Sequence, residues 1–428
     1  MKRSRIRYVI LAMAMGMYFI TFMDRVNVSV AAPDIVAEFG FNNMQMGAIF
    51  SAFTLSYALF QVPGGWLGDC IGSRLILPIF VGWWSIFTAM TTLGTSYISF
   101  IAIRFGFGVG EAGAFPAAQS ALSRWLRPEE RGLSQGLLQS ATRIGSAATP
   151  PLVAAIVAFA GWRMSFFICA LLGIIWSIGW WIIYRDRPEN HSWVNKEELD
   201  YILNGKKESS VTPPTPWKRI LTSPTVWALC LSYAALIYTT YIYFNWFPTY
   251  LMKARNFPLL KMGVYAALPF IAGAIANTVG GWASDKLVKK TGGNKWARRI
   301  IPFIGMIALA FFMIPGALTE STYLSVVLLS MALACSEFGI GVYWASSLDI
   351  AGPHAGTVSG LMNTFGNLGG FVSPLVFGYI VDTTGNWATP FVVASFVSVA
   401  GALLWLIIDP TKILYTKIDD PIESTINA

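Results

Sequence analysis

Arg104-Phe-Gly-Phe-Gly-Val-Gly-Glu111-Ala-Gly-Ala-Phe-Pro116 places a cation and a carboxylate inside a run, residues 97–122, that is otherwise apolar and long enough to cross a bilayer. Seven residues turn a helix through about 700°, so Arg104 and Glu111 share a face, about 10 Å apart along the axis. Each charge at membrane depth costs about 2.5–3.5 kcal/mol on insertion scales. Gly106, Gly108, Gly110 and Gly113 leave the backbone open to close approach by a neighbouring helix or a ligand. Two readings meet these facts: a structural ion pair that locks helices together, or an anion site beside a proton carrier.

Working outward, 55% of the 428 residues are hydrophobic and only 12% are charged. Soluble domains carry about a quarter charged residues, so the composition is that of a polytopic membrane protein. The net charge of +8 does not point to nucleic acid, because the basic residues sit in short loops between apolar runs. Four cysteines without a Cys-x-x-Cys pair and two histidines exclude a disulfide framework and argue against a metal site or a histidine-based triad. No cofactor is expected. A membrane-embedded enzyme is disfavoured as well, since the chain has no Gly-x-Ser-x-Gly elbow and no Asp-rich metal motif. The basic N-terminus followed by an apolar run imitates a signal peptide, but Asp24-Arg25 interrupts that run and more spans follow, so it reads as a retained first helix.

Apolar runs bounded by charges or turn residues give twelve expected spans: 8–31, 44–66, 75–94, 97–122, 132–159, 164–184, 224–251, 262–284, 300–318, 321–346, 355–381 and 387–408. With the N-terminus cytoplasmic, 23 of the 30 Lys and Arg residues fall on the cytoplasmic side, four fall outside, and Arg25, Arg104 and Arg143 lie within spans. That asymmetry predicts both termini in the cytoplasm. The long polar stretch between Arg185 and Ser223 reads as a linker with a Pro-rich segment at 212–216 and a short amphipathic helix near 195–204. It divides the chain into an N-terminal six-helix bundle (1–185), a cytoplasmic linker (186–223), and a C-terminal six-helix bundle with a short tail (224–428).

The two halves repeat each other. Gly64-Gly65-Trp-Leu-Gly-Asp69 recurs in the second half as Gly280-Gly281-Trp-Ala-Ser-Asp285. Gly132, Gly136, Leu137, Gly145 and Pro150 recur, all at one constant spacing, as Gly356, Gly360, Leu361, Gly369 and Pro374. Parallel six-helix repeats joined by a cytoplasmic linker mark a rocking-bundle transporter. The expected fold class is therefore an all-α membrane protein of twelve transmembrane helices, in two bundles related by pseudo-two-fold symmetry.

The loop Gly65-Trp-Leu-Gly-Asp69-Cys-Ile-Gly-Ser-Arg74 resembles the signature loop of the major facilitator superfamily. The resemblance implies a cytoplasmic gate built from Gly65, Asp69 and Arg74, with Asp285 in the second copy. Cys70 stands where the family usually has Arg or Lys, which weakens that charge network. Asp24-Arg25-Val-Asn-Val-Ser29, the stretch Arg104 to Pro116, Phe50-Ser-Ala-Phe53 with Tyr57 and Gln61-Val-Pro-Gly-Gly65, and Tyr243-Phe-Asn-Trp-Phe-Pro-Thr-Tyr250 together resemble the anion:cation symporter family within it, close to its bacterial sugar-acid members.

That resemblance implies that Arg104 contacts the substrate carboxylate, that Asp24 and Glu111 take up protons, that Arg25 pairs with a carboxylate, and that Tyr57 and Asn363 line the substrate path. Chemistry agrees for Arg104, because a guanidinium offers a carboxylate a two-pronged fork and stays charged. Glu111 can pair with Arg104 or with another cation. Arg143, one turn past Gln139, departs from the uncharged amide usual in sugar-acid members: it either holds a second anionic group or neutralises Asp24 or Glu111. Glu337 is a further intramembrane carboxylate, a second proton site or the partner of a basic group, and Trp344 can stack on a ligand. The expected function is proton-coupled import of a carboxylated anion, such as an aldonate, hexuronate or aldarate, by a monomer in a bacterial inner membrane. Its partners are the anion, a proton and the lipid bilayer. The alternatives are another organic anion (a dicarboxylate or an aromatic acid), sodium coupling, a receptor without flux, and export by antiport. The last is disfavoured because Ala147-Ala-Thr-Pro-Pro151 stands where exporters carry a Gly-Pro-x-x-Gly-Gly element.

Overall fold

The computed structural model describes residues 4–204, 215–291, 295–351 and 354–411, without the side chains of Asp69, Pro128, Asn204, Asp285, Thr291, Lys295 and Ala297. The Pro-rich stretch at 212–214 and the Asp69 and Asp285 side chains of the gate motif therefore lie outside what is described. The described residues form helices and two short 3-10 turns. In chain order the helices are α1 (Ile6–Phe39), α2 (Asn43–Ile71), α3 (Ser73–Met90), α4 (Tyr97–Ala112), α5 (Ala114–Trp125), α6 (Pro128–Ala160) and α7 (Trp162–Ile183). The linker carries α8 (Lys196–Asn204) and α9 (Trp217–Thr222). Then come α10 (Pro224–Asn245), α11 (Phe247–Lys253), α12 (Leu259–Thr291), α13 (Lys295–Leu318), α14 (Thr322–Ala351), α15 (Ala355–Thr384) and α16 (Thr389–Leu404). Eleven stretches among the described residues are long and apolar enough to cross a membrane, and α16 is a shorter apolar helix at the place of the twelfth expected span. The amphipathic helix expected near 195–204 is α8.

Two of the expected continuous spans are broken. Pro116 has no N–H to give Ala112, and the chain interrupts at Gly113 between α4 and α5. Pro248 likewise cannot donate to Phe244, and α10 gives way to α11 at Trp246. One break falls two residues after Glu111. Such interruptions are tolerated at membrane depth only where protein surrounds them.

By contacts the chain divides into two units. The first gathers residues 1–208, 244–267 and 374–382, and the second 209–243, 268–373 and 383–428. The internal repeat is written into the packing of each unit. In the first, a Cβ on Gly64 would lie 2.6 Å from the Cα of Gly113, and one on Gly145 would lie 2.7 Å from the carbonyl oxygen of Phe19. Their repeat partners in the second unit are as tight: Gly280 against the carbonyl oxygen of Phe338 and Gly369 against that of Ala234, where the added carbon would be 2.3 Å away. The two repeated glycine patterns thus mark equivalent helix crossings, at which only a missing side chain lets two backbones meet.

Three helix starts in the first unit are capped by carboxylates distant in sequence. Glu198 of α8, fully buried, accepts from Ile6 N (3.1 Å), Arg7 N (3.3 Å), Ser4 Oγ (2.5 Å) and Arg7 Nη1 (3.0 Å), which fastens the linker helix to the start of α1. Asp382 accepts from Asn43 Nδ2 (2.7 Å), Asn43 N (3.2 Å) and Met44 N (2.7 Å) at the start of α2. Asp186 accepts from Arg74 N (3.3 Å) and Arg124 Nη1 (3.1 Å) at the start of α3, beside the Gly72 turn of the signature loop. Each carboxylate satisfies N–H groups that a helix cannot bond internally and meets the positive end of its dipole. His191 braces the same linker: its Nε2–H donates to Ile183 O (2.9 Å) while Nδ1 accepts from Trp193 N (3.2 Å). Burial holds this imidazole below its ordinary pKa, in keeping with the neutral ring those two contacts require.

Candidate functional site

Four intramembrane charges gather in the first unit. Asp24 and Arg25 come from α1, Arg104 and Glu111 from α4, and Asp24, Arg104 and Glu111 are almost wholly enclosed. Of the cations that spacing allows Glu111, the structure selects Arg25, whose Nε donates to Glu111 Oε1 at 2.5 Å and whose Nη2 joins the same oxygen. Asp24 turns away from Arg25 and accepts from Trp84 Nε1 on α3 at 3.1 Å. Arg104 interacts electrostatically with Asp24, Glu111 and Arg25, so the four charges form one group of zero formal charge.

The cations are held by aromatic faces. The Arg25 guanidinium carbon lies 4.8 Å from the Tyr57 ring centre, 5.0 Å from those of Phe22 and Phe53, and 5.8 Å from that of Phe115. Arg104 lies 4.6 Å from Phe107 and 5.1 Å from Phe53. A desolvated cation–π contact contributes about 2 kcal/mol, so a few rings together with the ion pair offset the cost of carrying these cations into the membrane. Tight helix contact sets the rings in place: a Cβ on Gly108 would lie 2.5 Å from the Phe53 carbonyl oxygen, so α2 delivers Phe53 directly onto the helix that bears Arg104.

Hydrogen-bonding capacity is left open around these charges. Arg104 Nε, Asp24 Oδ1, Glu111 Oε2 and Thr54 Oγ1 are buried and have no partner among the described residues. A buried donor left unmade costs about 1–3 kcal/mol, so the Arg104 Nε–H is a donor suited to an incoming anion. The arrangement can bind an anion on a guanidinium and can exchange an internal counter-charge. It presents no nucleophile–base pair for covalent chemistry.

The structure brings Asp24, Arg25, Tyr57, Arg104 and Glu111 together. Arg143 stands half-buried on α6, one turn past the exposed Gln139. Glu337, Trp344 and Asn363 belong to the second unit. There Glu337 is buried against Gly273 of α12, and Trp344 is partly exposed, its ring centre 6.1 Å from that of Tyr233. Tyr343, next to Trp344, is structural: its hydroxyl meets Ser232 Oγ (2.7 Å) and Trp405 Nε1 (3.0 Å). Gly65 and Arg74 lie at the end of α2 and the start of α3. Sequence reasoning missed Phe53, Phe115 and Trp84 as partners of the charges. Among 17 Trp and 29 Phe in an apolar chain, nothing local distinguishes them.

Eleven candidate spans among the described residues, with a compensated group of charges buried between helices, are features that solute carriers share. The chain belongs to the major facilitator superfamily, whose family model matches residues 14–374. It is 37% identical to a probable sulfoacetate transporter of Cupriavidus necator, over 96% of this chain and 95% of that protein. It is 32% identical to a probable L-galactonate transporter of Escherichia coli, over 92% of this chain and 88% of that protein. Among solved structures, it superposes with a TM-score of 0.78 on a bacterial homologue of the human lysosomal transporter Spinster, in an inward-facing and occupied conformation. That match has 20% identity and covers 95% and 97% of the two chains. The protein is thus a transporter and not an enzyme, and both of these relatives are named as probable transporters of organic anions.

Proposed function

We propose that this protein imports a small carboxylated organic anion together with protons, by alternating access, across a bacterial cytoplasmic membrane with both termini inside. The observation that carries the reading is Arg104, an enclosed guanidinium with an unpartnered Nε–H, beside an Arg25–Glu111 pair whose carboxylate can exchange its partner for a proton. Isolated carboxylates among arginines suit protonation better than sodium, which needs several oxygens around it. The 23-to-4 distribution of basic residues supports the orientation. The signature loop with Gly65, Asp69 and Arg74, together with Asp285, is assigned to the cytoplasmic gate, and the protein is taken to act as a monomer. The direct test is a thermal-shift titration of the purified protein with sulfoacetate, L-galactonate, aromatic acids and dicarboxylates. Stabilisation by the first two at millimolar concentration supports the reading, and none by any anion removes it.

Arg143 either holds a second anionic group of the substrate or neutralises Asp24 or Glu111, and two substrates of different charge separate these roles. Sulfoacetate carries a sulfonate and a carboxylate, whereas L-galactonate carries a single carboxylate. Arg143→Gln is expected to weaken sulfoacetate by about tenfold or more and L-galactonate by less than about twofold. Equal losses, read from half-saturating uptake concentrations, assign Arg143 to structure or to proton coupling.

A further inference from the structure

The Phe53 ring is shared by both guanidinium groups, with Arg25 at 5.0 Å and Arg104 at 5.1 Å from one ring centre. The two cations therefore have an aromatic side chain as their common partner, and neither can shift far without changing its distance to the other. The ring has little freedom. It packs 5.4 Å from Phe107 and 5.8 Å from Tyr57, is 4% exposed, and hangs from a backbone pressed against Gly108. We infer that Phe53 is a positioning residue that links proton uptake to anion binding, by holding Arg25 and Arg104 on one ring. The inference rests on the symport reading above and deepens it.

Linkage connects the two cations. With the carrier empty, Arg25 is neutralised by Glu111 at contact, while Arg104 has no hydrogen-bonded carboxylate among the described residues and is compensated only through space by Asp24 and Glu111. Protonating Glu111 at that stage removes one of two carboxylates and leaves two like charges on one ring, so freeing Arg25 is unfavourable. An anion on Arg104 removes the repulsion. A proton on Glu111 then releases Arg25, and the ring remains to hold it in place. A bound anion thus makes proton uptake at Glu111 easier, and by reciprocity the proton favours the anion, which is what coupling between two sites means. The charged groups facing Glu111 are Arg25 and Asp24 from α1 and Arg104 from its own helix, with the Tyr57 hydroxyl-bearing ring of α2 over Arg25. Nearby, Trp83 and Phe80 of α3 lie against Gly110 and Gly113, and Phe115 of α5 lies over Arg25.

The test replaces Phe53 with mono-, di- and trifluorophenylalanine, which withdraw charge from the ring face at nearly constant shape. In proteoliposomes, the half-saturating concentration for counterflow is measured at pH 6 and at pH 8, with sulfoacetate and with L-galactonate. The inference predicts that affinity in the unmodified carrier rises toward pH 6, and that this pH dependence falls stepwise along the series, by about tenfold in all. The melting temperature without ligand should stay within a few degrees along the series, since shape is preserved. An unchanged pH dependence across the series overturns the inference while leaving symport intact, and so does a parallel loss of rate and affinity at both pH values. A pH-independent affinity in the unmodified carrier defeats the symport reading itself.

Discussion

Arg104→Lys is expected to reduce binding of sulfoacetate and L-galactonate by about a hundredfold or more, although the positive charge is kept. The guanidinium is planar and lies against Phe107 and Phe53, which orients its edge, and its Nε–H has no partner among the described residues. An anion bound there gains two parallel charge-assisted hydrogen bonds and satisfies a donor whose burial otherwise costs free energy. An ammonium is a compact point charge with no planar fork to offer. Calorimetric titration of the purified variant with both anions measures the effect, with folding checked from the unliganded melting temperature. Affinity within a few-fold of the unmodified protein removes Arg104 from the binding site.

Glu111→Gln is expected to leave exchange intact and abolish accumulation. The amide imitates the protonated acid, so Arg25 loses its counter-charge permanently and the carrier behaves as though the proton were always bound. With substrate on both sides the loaded carrier still reorients, and counterflow proceeds. With a pH gradient alone nothing remains to be protonated at this position, and uptake stops at equilibration. Comparing the two assays in the same proteoliposomes separates coupling from binding, because a binding defect lowers both. Undiminished proton-dependent accumulation moves the coupling role to Asp24, whose Oδ1 also lacks a partner among the described residues, or to Glu337.

Much of this site was legible before any coordinates, and the reason is energetic. A charge within an apolar span is costly enough that each instance demands an explanation, so Asp24, Arg25, Arg104 and Glu111 stand out against a background of Leu, Ile and Phe. The repeat is legible for a related reason: Gly64 and Gly280, or Gly145 and Gly369, sit where two backbones touch, and no other residue fits. The choice among partners was not legible. Spacing puts Arg104 on the face of Glu111, yet Glu111 pairs with Arg25, because the rotation of α1 relative to α4 is set by packing and not by either helix's own sequence. The aromatic surroundings of Arg25 were hidden by sheer abundance. The caps from Asp186, Glu198 and Asp382 were hidden by distance along the chain, since each serves a helix start that its own neighbourhood does not reveal. The breaks at Gly113 and Trp246 had a signal in Pro116 and Pro248, but proline inside a membrane span is common enough that it did not divide the expected spans.

Symport in this protein turns on one coupled event, the arrival of an anion at Arg104 with a proton at the neighbouring carboxylates. The most direct measurement is proton movement by the unmodified protein in proteoliposomes that enclose a pH-sensitive dye and are free of sodium. Adding external sulfoacetate or L-galactonate, with the membrane potential clamped by potassium and valinomycin, should acidify the lumen in step with uptake, while Glu111→Gln vesicles show no such change. Anion uptake by the unmodified protein with no acidification of the lumen, or uptake that appears only when sodium is supplied, would contradict it.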